Sequence, residues 1–134
     1  PAWSEAATLT VNGETVAAGP GEYAGIQRTW QTGDQVVLTL DMRCRLTPFP
    51  DPAQKLVALE RGPLVLARDQ RLGGDIQAPV MITGNKIAAA AVTAPEAFLA
   101  VFDIVGIRVC DYASAGSTWD RQTSDFRVWL PTGK

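Results

Sequence analysis

The stretch that decides the fold is Leu9-Thr10-Val11-Asn12-Gly13-Glu14-Thr15-Val16. It places Asn12-Gly13 between two short runs, Leu9-Thr10-Val11 and Glu14-Thr15-Val16. An Asn-Gly pair readily adopts the positive φ angles that a type I′ turn requires. The stretch therefore predicts a β-hairpin at the amino-terminal end of the chain.

Strand patterns continue beyond this hairpin. Gln35 to Leu40 alternates with a period of two, which is typical of a strand in a sheet, and Gly33-Asp34 before it predicts a turn. Arg61-Gly62-Pro63 predicts a bend between two further strands. The full set of later predictions is Tyr23–Trp30, Leu56–Glu60, Leu64–Arg68, Val80–Ile82, Ala88–Val92, Phe98–Val101, Ile107–Asp111 and Phe126–Leu130.

Three closely spaced prolines, Pro48, Pro50 and Pro52, predict a surface loop, because proline cannot donate a hydrogen bond within a central strand. No amphipathic run is long enough for a standard helix. With 134 residues, the chain has the length of one domain. Many short strands separated by turns predict an all-β fold, specifically an antiparallel, jelly-roll-like β-sandwich forming a single module over residues 1–134.

Composition excludes several classes of function. The 14 acidic and 12 basic residues are scattered, so we expect no nucleic acid partner. The apolar stretches are interrupted before the roughly 18 residues that a membrane span needs, so we expect no membrane partner. The chain has no histidine, which removes the commonest general base and metal ligand. We expect no cofactor and no metal in this chain.

The two cysteines, Cys44 and Cys110, are 66 positions apart in separate predicted strands, without the short spacing of zinc or redox motifs. Two buried free thiols is the favoured interpretation, and a disulfide between neighbouring strands is the alternative.

Asp103, Asp111 and Asp120 are the candidate carboxylates for glycosidic bond cleavage, which needs an acid together with a base or nucleophile. The favoured interpretation is different: Asp111 and Asp120 bracket a loop and cap its backbone amides. Calcium binding is a further alternative, although the spacing matches no EF-hand.

Aromatic and polar residues also cluster in this loop. A sugar ring stacks its C–H face on an aromatic side chain, while nearby charged groups bind its hydroxyls. A tryptophan at a strand end is more often a plug at the core edge. The candidate carbohydrate-binding residues are Asp111, Tyr112, Trp119, Asp120 and Arg121.

The combined pattern resembles the β-sandwich region of bacterial glycoside hydrolase family 127 (GH127), the β-L-arabinofuranosidase family. The resemblance spans most of the chain and is weak from Arg71 to Val105. The segments that carry it are Leu9–Gly13, Arg28–Met42, Ala58–Val65, Asp111–Trp119 and Phe126–Pro131.

The resemblance implies that catalysis, with its zinc-associated cysteine and glutamate residues, belongs to a helical (α/α) barrel preceding the sandwich. It assigns no catalytic residue to this chain, and neither Cys44 nor Cys110 matches the barrel motif. Pro1-Ala2-Trp3 resembles the end of a strand, so the sandwich is expected to lack one or more amino-terminal strands. An unpaired sheet edge of that kind favours a homodimer or a remodelled edge.

The resemblance thus predicts a non-catalytic accessory domain at the carboxyl-terminal side of a larger glycoside hydrolase that acts on arabinose-containing plant polysaccharides. The domain would pack on the helical catalytic domain, and the isolated chain would not be an enzyme. A carbohydrate-binding module is the first alternative. A protein-interaction or assembly domain is the second, since β-sandwiches host many functions.

Overall fold

A computed structural model describes residues 1, 3–19, 21–82, 84, 87–118, 120–122 and 124–133. Strands and two short 3₁₀ turns make up the regular structure of these residues, and the paired strands run antiparallel. The all-β antiparallel prediction is confirmed. The sandwich arrangement, the single module and the missing strand stay predictions. No helix in the described part of the chain is long and apolar enough to cross a membrane.

The chain divides into two compact units, Pro1–Met42 and Arg43–Lys134. The first unit holds a three-stranded sheet in the order β2-β1-β3. Its strands are β1 (Ala7–Val11), β2 (Glu14–Val16) and β3 (Val36–Leu40). Asn12 and Gly13 have φ angles of 51° and 85°, so the predicted Asn-Gly hairpin is confirmed.

Asn12 also fixes the start of β3. Its side-chain Oδ1 accepts a hydrogen bond from the Gln35 amide at 2.9 Å, and its Nδ2 donates to Asp34 Oδ1 at 2.7 Å. Asp34 Oδ2 in turn accepts from the Gln31 amide at 2.8 Å. The hydrogen bond from Asn12, followed by that from Gln31, lowers the pKa of Asp34 and so favours its carboxylate form. Asn12 therefore forms the β1–β2 turn and also stabilises the turn at Gln31–Asp34.

The predicted strand at Tyr23–Trp30 is wrong, because this segment is an irregular connection to β3. Tyr23, Ile26 and Trp30 are spaced by three and four positions, and a strand with one buried face needs a spacing of two. Tyr23 is fully exposed.

The second unit holds eight strands around a central hairpin. The main path of its sheet is β11-β5-β6-β9-β8-β7, with β4 paired to β5 and β10 paired to β6. The strands are β4 (Cys44–Pro48), β5 (Leu56–Arg61), β6 (Leu64–Asp69), β7 (Ala90–Val92), β8 (Val101–Ile104), β9 (Ile107–Asp111), β10 (Phe126–Arg127) and β11 (Leu130–Pro131). The 3₁₀ turns are Pro52–Gln54 and Gln70–Leu72.

Alternate side chains of this sheet enter two separate apolar clusters. Leu66 of β6 and Val109 of β9 lie in the larger cluster. Their neighbours Ala67 and Cys110 lie in the smaller one. Because successive strand residues point to opposite faces, the two clusters cover opposite faces of the sheet. Apolar burial on both faces holds this unit together.

The carboxyl-terminal prediction of one strand over Phe126–Leu130 is wrong. The chain bends at residues 128 and 129, so that β10 pairs with the end of β6 and β11 pairs with the start of β5. The two halves therefore pair with the ends of β5 and β6 that do not pair with each other. Leu130 is fully buried there.

Three other predicted boundaries need correction. Pro48 ends β4, which pairs with β5 and makes one bridge from Cys44 to Ile87, whereas Pro50 lies in the predicted loop. The prediction at Val80–Ile82 contains a single bridge, between Val80 and Thr132. The prediction at Phe98–Val101 begins too early, since β8 starts at Val101.

The physical reason for the late start of β8 is that side chains bind the preceding amides. The amides of Leu99 and Ala100 donate to Ser114 Oγ and Asp111 Oδ1, at 2.8 and 2.9 Å. These amide donors are therefore used outside a strand ladder.

The β8–β9 hairpin turns through Val105 and Gly106, whose φ angles are 53° and 80°. A left-handed conformation is costly for a β-branched residue, and Asn adopts it more readily. We expect Val105→Asn to raise the free energy of unfolding by about 1 kcal/mol. Urea unfolding would measure this change. Val105→Thr, which is polar but still β-branched, should give no such gain, and an equal gain in both variants would contradict the turn-strain explanation.

Candidate functional site

Asp111, the last residue of β9, organises the loop in which the sequence places its candidate site. It is buried, and its carboxylate accepts hydrogen bonds from the Ala100 and Ser114 amides at 2.9 and 3.0 Å. The Ser114 hydroxyl lies within hydrogen-bond distance of both carboxylate oxygens, at 2.8 and 2.9 Å. A buried carboxylate with this many donors is a structural anchor for the loop.

A second buried carboxylate, Asp69, supports the same loop through Arg71. Arg71 donates from Nε to Asp69 Oδ1 at 2.8 Å and from Nη2 to Oδ2 at 2.6 Å. It also donates to Thr118 Oγ1 at 2.6 Å and to the Ser114 carbonyl at 3.2 Å. The hydrogen bond to Asp69 raises the pKa of Arg71, and its guanidinium lies 4.6 Å from the Phe98 ring centroid. This bidentate pair links the end of β6 to the loop.

The pair between Asp69 and Arg71 was not predicted from the sequence. The available signal was an Asp followed two positions later by Arg at a strand end. Asp69 Oδ1 accepts from the Arg71 amide at 2.9 Å, which is the usual capping role of Asp before a short turn. The identity of its distant partners, Thr118 and Ser114, depends on the tertiary fold.

The candidate carbohydrate-binding residues differ in how accessible their side chains are. Tyr112 is 51% exposed, and its ring lies 6.0 Å from that of Phe126 in a tilted arrangement. Arg121 is exposed, and Trp119 lies outside the described residues. Tyr112 therefore offers an accessible ring, while the oxygens of Asp111 are already hydrogen-bonded. Carbohydrate binding by this loop stays a prediction.

The three candidate acid–base carboxylates all cap backbone amides. Asp103 Oδ1 accepts from the Gly106 amide at 2.8 Å, and Asp120 Oδ1 accepts from the Gln122 amide at 2.7 Å. Asp111 caps the Ser114 amide. For Asp111 and Asp120, this is the capping role that the sequence favoured.

The two cysteines are free and fully buried, as the favoured interpretation predicted. Cys44 belongs to the larger apolar cluster and Cys110 to the smaller one, on the opposite face of the sheet. Burial raises the pKa of both thiols, that of Cys110 to about 12. Protonated thiols on opposite faces do not suit the zinc-associated chemistry of the resembled family. Within the described residues, no group of three or more His, Cys, Asp or Glu side chains could hold a metal ion.

The fold is similar to parts of solved glycoside hydrolase structures. A solved structure of a glycoside hydrolase is 26% identical in sequence, with a TM-score of 0.63, and the match covers 100% of this chain and 27% of that one. A GH127 β-arabinofuranosidase matches with a TM-score of 0.66 and 23% identity, over 96% of this chain and 23% of that one. A GH127 β-L-arabinofuranosidase from Geobacillus stearothermophilus T6 matches with a TM-score of 0.66 and 22% identity, over 99% and 25%.

Residues 1–42 match the family model of the GH127 β-L-arabinofuranosidase middle domain. This range coincides with the first compact unit, Pro1–Met42. No curated protein matches the chain. The chain spans about a quarter of the length of the solved structures that it matches. The chain is therefore similar to a region of GH127 proteins.

The anchoring role of Asp111 predicts a large loss of stability for Asp111→Ala. The substitution leaves the Ala100 and Ser114 amides without their acceptor, so we expect the free energy of unfolding to fall by about 2–4 kcal/mol. Chemical denaturation would measure the change. Asp125→Ala, at an exposed aspartate in the same part of the chain, is the matched control. Equal effects in the two variants would contradict the anchoring role.

The raised thiol pKa values predict slow alkylation of the native protein. At pH 8 both thiols are mostly protonated, because their pKa values lie above those of free cysteine, and both are shielded from solvent. We expect iodoacetamide to modify neither cysteine in buffer and both in concentrated urea, as read by mass spectrometry. Rapid native modification of Cys110 would contradict the structure.

Proposed function

We propose that this chain is a non-catalytic accessory domain of a GH127-type glycoside hydrolase acting on arabinose-containing plant polysaccharides. The observation that carries the proposal is the match of residues 1–42 to the middle domain of β-L-arabinofuranosidases. The agreement between this range and a compact unit of the structure supports a common structural role.

The side-chain chemistry of the chain supports an accessory role. Acid–base catalysis of glycoside cleavage needs two carboxyl groups that are free to face a substrate. Each of the candidate carboxylates Asp103, Asp111 and Asp120 caps a backbone amide, and both oxygens of Asp111 are hydrogen-bonded. The chain also has no histidine to act as an alternative base near neutral pH.

The open edge of β3 supports packing against the helical catalytic domain of a parent hydrolase. Val36, Val37 and Leu38 are each about half exposed, and they lie on both faces of a strand whose second edge has no partner among the described strands. Continuous apolar runs are typical of strands that are covered on both faces. The catalytic domain is the proposed cover, since the matching glycoside hydrolase structures are about four times as long as this chain.

Carbohydrate binding is a second candidate function, favoured by Tyr112. This ring is half exposed beside a loop whose backbone is held by Asp111 and Arg71. A preorganised loop presents an aromatic surface with little loss of conformational entropy on binding.

We expect the purified chain to release no nitrophenol from an aryl β-L-arabinofuranoside, because each of its three candidate carboxylates caps a backbone amide. The assay is colorimetric, with a buffer blank as reference. Turnover that disappears in Asp103→Asn or Asp111→Asn, with the fold retained by circular dichroism, would contradict the non-catalytic assignment.

The open edge predicts concentration-dependent self-association of the isolated chain, because β3 can pair with a second copy when no other domain covers it. Sedimentation velocity should show a dimer that Val37→Lys weakens about tenfold or more. Leu99→Lys is the matched control, since Leu99 is exposed but lies outside the strands. A strictly monomeric chain, or equal effects of both variants, would contradict an adhesive β3 edge.

A further inference from the structure

A polar cavity of about 340 Å³ lies in the second unit, away from the candidate loop. Its walls come from the end of β6, the turn and loop that follow it, and the β8–β9 hairpin. Its charged side chains are those of Arg68, Asp75, Asp103 and Arg108, and the glycines Gly73, Gly74 and Gly106 also line it. Its volume is at the lower end of the range for small-molecule sites.

Arg68 is the central feature of this cavity, because it is only 7% exposed and has no carboxylate in ion-pair distance within the described part of the chain. Its Nη1 donates to the carbonyl oxygens of Ala78 and, at 3.3 Å, Asp75. Burial lowers the pKa of the guanidinium, and the charge of Asp75 opposes that shift. A buried cation held only by neutral oxygens is costly unless further partners are supplied.

A guanidinium has five donors, and the hydrogen bonds described for Arg68 all come from Nη1. Among the described residues, one fully buried side-chain nitrogen or oxygen has no hydrogen-bond partner, and it is Nε of Arg61. The remaining donors of Arg68 are therefore not sealed in the core. Arg68 lines the cavity, so these donors can face a ligand there.

The other polar groups of the cavity also keep bonding capacity. Asp75 and Asp103 each cap a backbone amide through Oδ1, from Gln77 and Gly106, both at 2.8 Å. The Oδ2 atoms of these two carboxylates have no described hydrogen bond. Arg108 faces Asp103 across the β8–β9 ladder and is exposed. The cavity thus presents both donors and acceptors.

The net charge of the cavity wall indicates which kind of ligand the cavity can bind. Two arginines and two aspartates give the wall a formal charge of zero, and the aspartates would repel an anion. Hydroxyl groups both donate and accept hydrogen bonds, so a ligand with several hydroxyls can satisfy both sets of side chains. Leu72 and Ile107 add apolar surface for its carbon skeleton.

We propose that this cavity binds one neutral sugar residue, with Arg68 and Arg108 donating to its hydroxyls and Asp75 and Asp103 accepting from them. The choice of a sugar from the arabinan class rests on the proposed function. The residues that line the cavity all lie outside the loop that follows Asp111.

The test is a titration of the ¹⁵N-labelled chain with L-arabinose, and separately with D-xylose and D-glucuronate, followed by amide NMR. The neutral sugars should cause saturable shifts at Gly73, Gly74 and Gly106. Asp103→Asn and Arg108→Gln should each weaken binding about tenfold. Asp103→Asn keeps an oxygen for the Gly106 amide, Arg108 is exposed, and Asp125→Asn is the matched control with unchanged binding.

Three results would overturn the proposal. One is the absence of glycine shifts at millimolar neutral sugar. Another is a response confined to residues 111–124 and abolished by Tyr112→Ala, which would assign binding to the loop. The third is saturation by glucuronate alone, which would define an anion site. None of these three results would contradict the proposed accessory function, because the arabinofuranosidase assay tests that function separately.

Discussion

The cross-strand pair of Leu59 and Leu66 is the contact on which the second unit depends. The two residues face each other in the β5–β6 hairpin, and both are fully buried in the larger apolar cluster. The remaining strands pair directly with this hairpin or are built outward from it. A polar residue at either position would disrupt the cluster and the register of the neighbouring strands together.

The opposite face of the sheet relies on polar anchors as well as apolar packing. Its apolar cluster is small, and the fully buried Asp69 lies beside it with its partner Arg71. Such a pair is weak evidence for net stability, because desolvation offsets much of the attraction. Its geometry is specific, however, since one guanidinium contacts a β6 carboxylate, the 111–118 loop and the Phe98 ring. The pair therefore determines where the loop lies.

Local signals in the sequence predicted the features that depend on neighbouring residues. The Asn12-Gly13 turn and the bend at Arg61-Gly62-Pro63 were both located, because glycine and proline restrict or permit the backbone directly. The strand at Ile107–Asp111 was also predicted with its observed bounds. These elements need no information about distant partners.

Two of the errors occur where a distant group takes a backbone hydrogen bond. β8 starts later than predicted because Asp111 and Ser114 accept hydrogen bonds from the amides before it. The carboxyl-terminal strand bends because its halves pair with two different strands. For the candidate site, the capping role of Asp111 was predictable from its place in a loop. The Asp69–Arg71 pair and the cavity were not, because β6 and the β8–β9 hairpin form the cavity only after the sheet has assembled.

Arg61 and Arg68 both belong to the central β5–β6 hairpin, and they differ in whether a ligand can reach their donor atoms. Arg61 lies over the Phe102 ring at 4.8 Å, and its Nε is sealed without a partner, so no ligand can reach that atom. Arg68, at the other end of the hairpin, has donors that remain reachable from a cavity. The loop at Asp111 has its buried acceptors occupied. Polar groups that are buried but still reachable have the most to gain from a ligand, and by this criterion Arg68 is the stronger recognition group.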